Sequence, residues 1–240
     1  MTGLKIDILH KRYPAADGSP ARRIFEEFHL DVETGTFVCL LGPSGVGKTT
    51  LLNIVAGLDP DYSGQVVFSR RSRPCLAYVF QTPRLLPWRT VLENVMLPLP
   101  PGDKARKSAL SLLDEMGLSD ALNVYPDRLS LGMQRRVALA RAFAIRPDIL
   151  LMDEPLVSLD EATADRLRDH LAAMLEIRPA TVLFVTHDSL DAVRLADRII
   201  VLSGSPAEIV KDIRVGLSRR ERRDKAVVEA FRRDNLAGDR

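Results

Sequence analysis

Two short stretches of the chain combine residue types and spacings that suit one reaction, the attack of water on a phosphoryl group. The first is Gly42-Pro43-Ser44-Gly45-Val46-Gly47-Lys48-Thr49-Thr50, in which glycines five residues apart are followed by a lysine and a hydroxyl residue. Such a loop wraps phosphate oxygens in inward-facing backbone N–H groups at a helix N-terminus. Lys48 then neutralises β- and γ-phosphate oxygens, and the Thr49 hydroxyl suits Mg²⁺. The alternative is a plain glycine turn that opens a helix. The second stretch, Ile149-Leu150-Leu151-Met152-Asp153-Glu154-Pro155, ends an apolar run in two acids. Acids there project from the carboxyl end of a strand, where open α/β sheets bind ligands. Asp153 suits Mg²⁺ held through water, and Glu154 suits a general base that polarises the attacking water. A helix-capping acid pair is the alternative.

The surrounding pattern supplies elements to position these residues. Apolar runs bounded by turn residues predict strands at Lys5 to Leu9, Phe28 to Val32, Phe37 to Leu41, Gln65 to Phe68, Leu76 to Phe80, Ile149 to Met152, Thr181 to Val185 and Arg198 to Leu202. Helical periodicity predicts helices at Lys48 to Ala56, Lys104 to Met116, Gly132 to Ile145, Glu161 to Glu176 and Ser189 to Leu195. The expected fold is therefore α/β with a mostly parallel core sheet, and the short, closely spaced early strands suggest an antiparallel β subdomain. A Pro-punctuated, mainly helical stretch reads as an inserted lobe over about 82–145.

Composition narrows the class. With 46% hydrophobic and 28% charged residues in 240, the chain has the make-up of an ordinary globular protein. No run approaches 18 apolar residues and the N-terminus lacks a signal-peptide pattern, so a cytoplasmic location is expected. Cys39 reads as a small core residue, and Cys75 has no neighbour at metal-ligand spacing. The net charge of +2 is uneven, because residues 211–240 hold ten Lys/Arg against six Asp/Glu. The acids and bases of this tail interleave, which favours a solvated helix over a nucleic-acid or lipid patch.

The segment between the two motifs decides the kind of machine. Leu129-Ser130-Leu131-Gly132-Met133-Gln134-Arg135-Arg136-Val137-Ala138-Leu139-Ala140-Arg141-Ala142 resembles the signature motif and following helix of the ATP-binding-cassette (ABC) ATPases. Further landmarks of that family follow in order. Gln81 matches the glutamine loop, Ser158-Leu159-Asp160 the D-loop and His187 the switch histidine, while Tyr13 is similar to the aromatic residue that stacks on adenine. Taken singly, His187 also reads as structural and Tyr13 as packing. The resemblance spans about residues 4–205 and implies a P-loop NTPase fold with an ABC ATPase domain over 1–205 and a basic, helical tail over 206–240. It implies ATP and Mg²⁺, with Glu154, His187 and Gln81 as catalytic residues. Nucleotide contacts would come from Tyr13, residues 42–50, Ser130, Gly132 and Asp160, and Mg²⁺ contacts from Thr49, Gln81 and Asp153. It also implies a head-to-tail homodimer with ATP bound, membrane permease subunits, a solute-binding protein acting through them, no nucleic acid, and a place on the inner face of the membrane. The stretch from Gln81 through Trp88 to Asn94, with Met133, resembles the nitrate/sulfonate/taurine importer group, and Leu85, Leu86, Pro87 and Trp88 read either as the permease contact or as packing of the lobe.

Two positions depart from the family pattern. Leu131 stands where the family has glycine, and Arg135 where it usually has glutamine. If the glycine serves close approach to nucleotide, activity survives at a reduced rate; if it serves a left-handed backbone, the signature geometry suffers. The rival readings are a nucleotide-binding regulator with little hydrolysis and a soluble ABC ATPase of the repair or translation type.

Overall fold

Phe37-Val-Cys-Leu-Leu41 has no polar alternation because it has no wet face: every residue of this strand, β3 (Phe37–Leu41), is buried. The computed structural model describes residues 2–15, 21–68 and 74–236, and it divides into two units, Met1–Pro74 with Thr181–Arg240, and Cys75–Ala180. In the first unit β3 pairs in parallel with β7 (Thr181–Thr186) and β8 (Arg198–Ser203). Strand β9 (Glu208–Arg214) continues this sheet antiparallel to β8, giving the order β7-β3-β8-β9. A separate antiparallel sheet has β1 (Thr2–Tyr13) between β2 (Arg22–Glu33) and β4 (Ser63–Phe68). Its inward face carries Leu4, Ile6, Ile8, Phe28, Leu30 and Val32, so the alternation of these strands is that of a sheet with one dry face. Helix α1 (Lys48–Val55) leaves β3 through the glycine loop, and α6 (Ser189–Leu195) follows β7.

The second unit pairs β5 (Leu76–Val79) in parallel with β6 (Ile149–Asp153) and adds α2 (Val91–Met96), α3 (Asp103–Glu115), α4 (Leu131–Ala144) and α5 (Glu161–Ile177). Helix α4 is its centre: Val137, Leu139, Ala140 and Phe143 are buried, and it packs against α2, α3, α5 and β5. Helix α2 was not among the predicted elements, although Thr90-x-x-Glu93 forms a capping box. Glu93 N donates to Thr90 Oγ1 (3.3 Å) and Thr90 N to Glu93 Oε2 (2.8 Å).

The chain after residue 205 differs from the helix expected there. Residues Glu208–Arg214 are strand, the register carrying Arg214 to Arg198 and Glu208 to Ser203. Arg198 locks the pair by a two-point bond to Asp212 (2.7 and 2.6 Å). Helix appears further on, in α7 (Lys225–Leu236), where Val228 is buried and Arg232 Nε donates to Ser189 Oγ at 2.9 Å. The charged residues of the strand masked its pattern, because β9 is half exposed along its length. Residues 237–240 of the expected tail lie outside the described residues. Strands β1 and β2 also exceed their predicted limits, since pairing continues through polar residues as far as Tyr13 opposite Arg22. Among the described residues no helix is long and apolar enough to cross a membrane.

Candidate functional site

The loop between β3 and α1 has the form that phosphate binding requires. Gly45 (φ 79°) and Gly47 (φ 119°) occupy the left-handed region, and a Cβ on Gly47 would lie 2.7 Å from Ile24 Cγ2. Gly47 is the N-cap of α1 and offers no side-chain acceptor, so no cap side chain stands in front of the first turn, where helix ends favour anions. Lys48 is buried, and its Nζ donates to the carbonyls of Gly42 (2.7 Å) and Pro43 (2.9 Å), which holds the ammonium against the loop. Thr49 is exposed on the first turn and Thr50 half-buried beside it. Arg22, which the sequence reading did not single out, donates from its guanidinium to the Gly45 carbonyl. Only strand pairing brings it there, opposite Tyr13.

Tyr13 closes β1 and is tied to the same loop. Its hydroxyl donates to Asp59 Oδ2 (3.1 Å) and lies 3.3 Å from Thr50 Oγ1, while 40% of the residue stays exposed. Lys11 and Asp59 are two further residues the motifs did not reveal. Lys11 is only 2% exposed, its charge satisfied by Asp59 Oδ1 (2.8 Å) and the Asp61 carbonyl (2.7 Å). Burial alone pushes the Asp59 carboxyl up, but the bonds from Lys11 and Tyr13 outweigh it and hold the group below the ordinary 3.8. His187 stands exposed just after β7, and the next residue, Asp188, caps α6 by accepting from Leu190 N (2.7 Å).

In the second unit Asp153 is the last residue of β6 and is buried. Glu154 follows in a left-handed conformation (φ 46°), which costs a non-glycine residue roughly 1–3 kcal/mol and so demands support. That support includes Arg135 of α4, whose Nη1 donates to the carbonyls of Pro155 and Glu154, the latter at 3.4 Å. Gln81 is exposed in the loop after β5, and Arg141 of α4 anchors that loop through the carbonyls of Pro83 and Arg84, both at 2.9 Å.

Ser130 and Gly132 lie at the N-terminus of α4. Ser130 Oγ accepts from Met133 N (3.2 Å), which leaves its own O–H to donate elsewhere. A Cβ on Gly132 would lie 2.5 Å from Thr163 Cγ2, so this glycine permits α4 and α5 to approach. Asp160 caps α5 by accepting from Thr163 N (3.0 Å), and this bonding holds its carboxyl below the ordinary range. Leu131 is the first residue of α4 and lies outside the left-handed region, so no backbone strain attends it; its side chain is 39% exposed. The expected apolar piece divides: Leu85 and Leu86 are half-buried, with Leu86 N bonded to Asn94 Oδ1 (2.8 Å), whereas Trp88 is 68% exposed.

Among the described residues no group of three or more His, Cys, Asp or Glu is arranged to hold a metal. Mg²⁺ bound with a nucleotide takes most of its oxygens from phosphate and water, and the Thr49 hydroxyl in the first unit and the Asp153 carboxylate in the second are each, taken separately, of a chemical type that suits it.

A glycine-wrapped lysine loop opening a helix, acids ending a strand, and a serine-capped helix entered by Leu-Ser-Leu-Gly together define an ABC-type ATPase. The ABC transporter family model matches residues 25–157, and the chain belongs to that family. It is 44% identical over 202 residues to the aliphatic sulfonates import ATP-binding protein SsuB 2 of Pseudomonas syringae pv. tomato, covering 84% of this chain and 85% of that one. It is 39% identical over 232 residues to the SsuB 2 protein of Burkholderia cenocepacia, covering 91% and 86%. The fold matches an ATP-binding cassette solved as a dimer in a post-hydrolysis state bound to ADP and Pi, with a TM-score of 0.77 and 32% identity, over 90% of this chain and 100% of that one. The chain is thus an ABC transporter ATP-binding protein whose reaction is ATP hydrolysis coupled to transport.

Proposed function

We infer that this chain powers the import of a small anionic solute, an aliphatic sulfonate, by closing as a homodimer on ATP beneath permease subunits at the inner face of the membrane. The observation that carries the catalytic part is the phosphate loop, with left-handed Gly45 and Gly47 and Lys48 drawn against its carbonyls. The similarity to SsuB proteins carries the choice of solute.

In this reading Tyr13 stacks on adenine, and the N–H groups of residues 42–50 with Lys48 enclose the β- and γ-phosphates. Mg²⁺ supplies charge neutralisation of the phosphates when bound, with Thr49, Gln81 and Asp153 as its protein contacts. Glu154 takes the proton of the attacking water as it adds to the γ-phosphorus, and His187 donates to the γ-phosphate as charge shifts to the leaving ADP oxygen. Ser130, through the O–H that its own helix leaves unused, and the Gly132 N–H address the γ-phosphate held by the other copy, with Asp160 at the same junction. ATP then favours the closed dimer, and hydrolysis removes that preference. Solute reaches the permease through a solute-binding protein, and no nucleic acid takes part.

The test is phosphate release by the purified chain, alone and with its permease, for the wild type, Lys48→Ala and Glu154→Gln. Lys48→Ala abolishes tight ATP binding; Glu154→Gln keeps binding, accumulates an ATP-dependent dimer and nearly stops turnover, since the amide preserves shape without basicity. Turnover by Glu154→Gln with only monomer on size exclusion removes Glu154 as the base. Sulfonate-dependent stimulation in vesicles with permease and binding protein tests the solute, and equal stimulation by unrelated solutes rejects it.

A further inference from the structure

Arg135 is one of the two residues at which this chain departs from the family pattern in the signature helix, and its side chain, unlike that of Leu131, does not face solvent. It is 5% exposed, and its Nη1 sits between two consecutive backbone carbonyls, those of Glu154 and Pro155. Its Nε has no hydrogen-bond partner, so burial of this cation is only partly compensated and pushes the guanidinium's affinity for its proton down. A charge held under such conditions is retained for what it fixes.

The fixed object is the turn that carries Glu154. Glu154 and Ser158 both have positive φ (46° and 61°), so the segment joining β6 to α5 contains two left-handed residues without glycine. Converging carbonyl dipoles repel one another unless a donor bridges them, and a guanidinium supplies that donor with a full charge. Without it the carbonyls turn apart, Glu154 relaxes toward an ordinary φ, and its carboxylate swings with the backbone. Glutamine at this position is shorter and neutral; it reaches less far and bridges more weakly.

We propose that Arg135 is a positioning residue that sets the backbone of Glu154 and so couples the placement of the base to the signature helix. The proposal rests on the reading of Glu154 as the general base. Ser130, Gly132 and Arg135 lie within the first five residues of one rigid helix and its cap, with the nucleotide-facing end one turn before the guanidinium. A shift of α4 on contact with a γ-phosphate is therefore passed directly to the carbonyls that hold Glu154. Hydrolysis then waits on the signature contact, which restrains turnover by a subunit that has not closed.

The experiment uses the full chain and measures steady-state ATPase, ATP-dependent dimerisation and thermal melting for Arg135→Met, Arg135→Lys and Arg135→Gln, with Glu154→Gln in parallel. Misplacing a base by about an ångström costs up to about 100-fold, so kcat for Arg135→Met falls by about 10- to 100-fold while KM for ATP stays within about twofold. Lysine restores most of the loss and glutamine less. Arg135→Met combined with Glu154→Gln is no slower than Glu154→Gln alone and still forms the ATP-locked dimer. A cooperatively melting Arg135→Met with wild-type kcat overturns the proposal, as does failure of the double variant to dimerise, which would assign Arg135 to the shape of α4. Should Arg135→Met fail to fold, lysine and glutamine decide: wild-type kcat in both overturns it. If Glu154→Gln itself turns over normally, the reading of Glu154 fails instead.

Discussion

The Lys11 ammonium lies 4.6 Å from the centre of the Tyr13 ring, so the aromatic residue read as the adenine platform rests on a buried cation. The ring is fixed from beneath by Lys11 and at its hydroxyl by Asp59, while part of its surface stays open. A cation against an aromatic face contributes about 0.5–2 kcal/mol, so Lys11→Met raises the Kd for ATP by about 2- to 30-fold, and Tyr13→Ala raises it further. Neither changes the affinity for tripolyphosphate, which has no base to stack. Competitive titration of the two ligands checks this, and equal weakening of both would place Lys11 and Tyr13 in general loop support.

The same carboxylate gives a pH signature. Asp59 titrates below 3.8 in the folded chain, so its contribution to stability is complete above that value and is lost as pH falls from there through the folded pKa. The difference in melting temperature between wild type and Asp59→Asn is therefore constant from about pH 7 to 5 and shrinks in acid below the ordinary carboxylate value. Melting curves across that range are the measurement. A difference that grows on acidification contradicts the Lys11–Asp59–Tyr13 assignment.

Leu131 begins α4 without left-handed strain, so replacing it changes what its half-exposed side chain obstructs and leaves the backbone as it is. Lengthening one charge-assisted hydrogen bond costs about 1–3 kcal/mol, and Leu131→Gly accordingly raises turnover by about 5- to 150-fold. ATP affinity of the isolated chain stays the same, because in the proposed dimer this residue serves the other copy's nucleotide. Paired ATPase and binding assays test it; a large affinity change without a gain in rate would refute it.

Trp88 is the single tryptophan of the chain and lies 68% exposed beside half-buried Leu85 and Leu86. If the permease docks on this face, as proposed, the contact moves Trp88 from water into a drier setting. Its emission shifts to the blue and it loses access to a soluble quencher when the cognate membrane subunit is added. Unchanged quenching would move the contact to another face.

The residues whose chemistry is local were legible in the sequence. Glycines at 42, 45 and 47 with Lys48, and the acids ending Ile149–Met152, stand out through spacing and through the continuous apolar strands that precede them, which the structure forms. What was hidden depends on contacts between segments distant in sequence. Lys11 meets Asp59 across 48 residues, Arg22 meets Gly45 across 23, and Arg135 reaches carbonyls 19 and 20 residues ahead. No periodicity encodes such pairs. The short helix α2 escaped because six residues scarcely establish a period, though its capping box was written in Thr90 and Glu93. Strand β9 escaped because charged residues occupy its wet side, as they do at sheet margins.

That margin bears on any shortening of the polypeptide. Strand β8 carries Ile199, Ile200, Val201 and Leu202 wholly shielded, and β9 satisfies its outward row of amides and carbonyls. A stop codon placed after residue 205, where the family landmarks end, would bare that row along four apolar residues and create a template for pairing between molecules. The outcome is sticky, insoluble material even though every residue proposed to contact nucleotide is retained. A cut after residue 217 spares β9 but strips α6 of Arg232 and Val228, so the helix that follows His187 frays first.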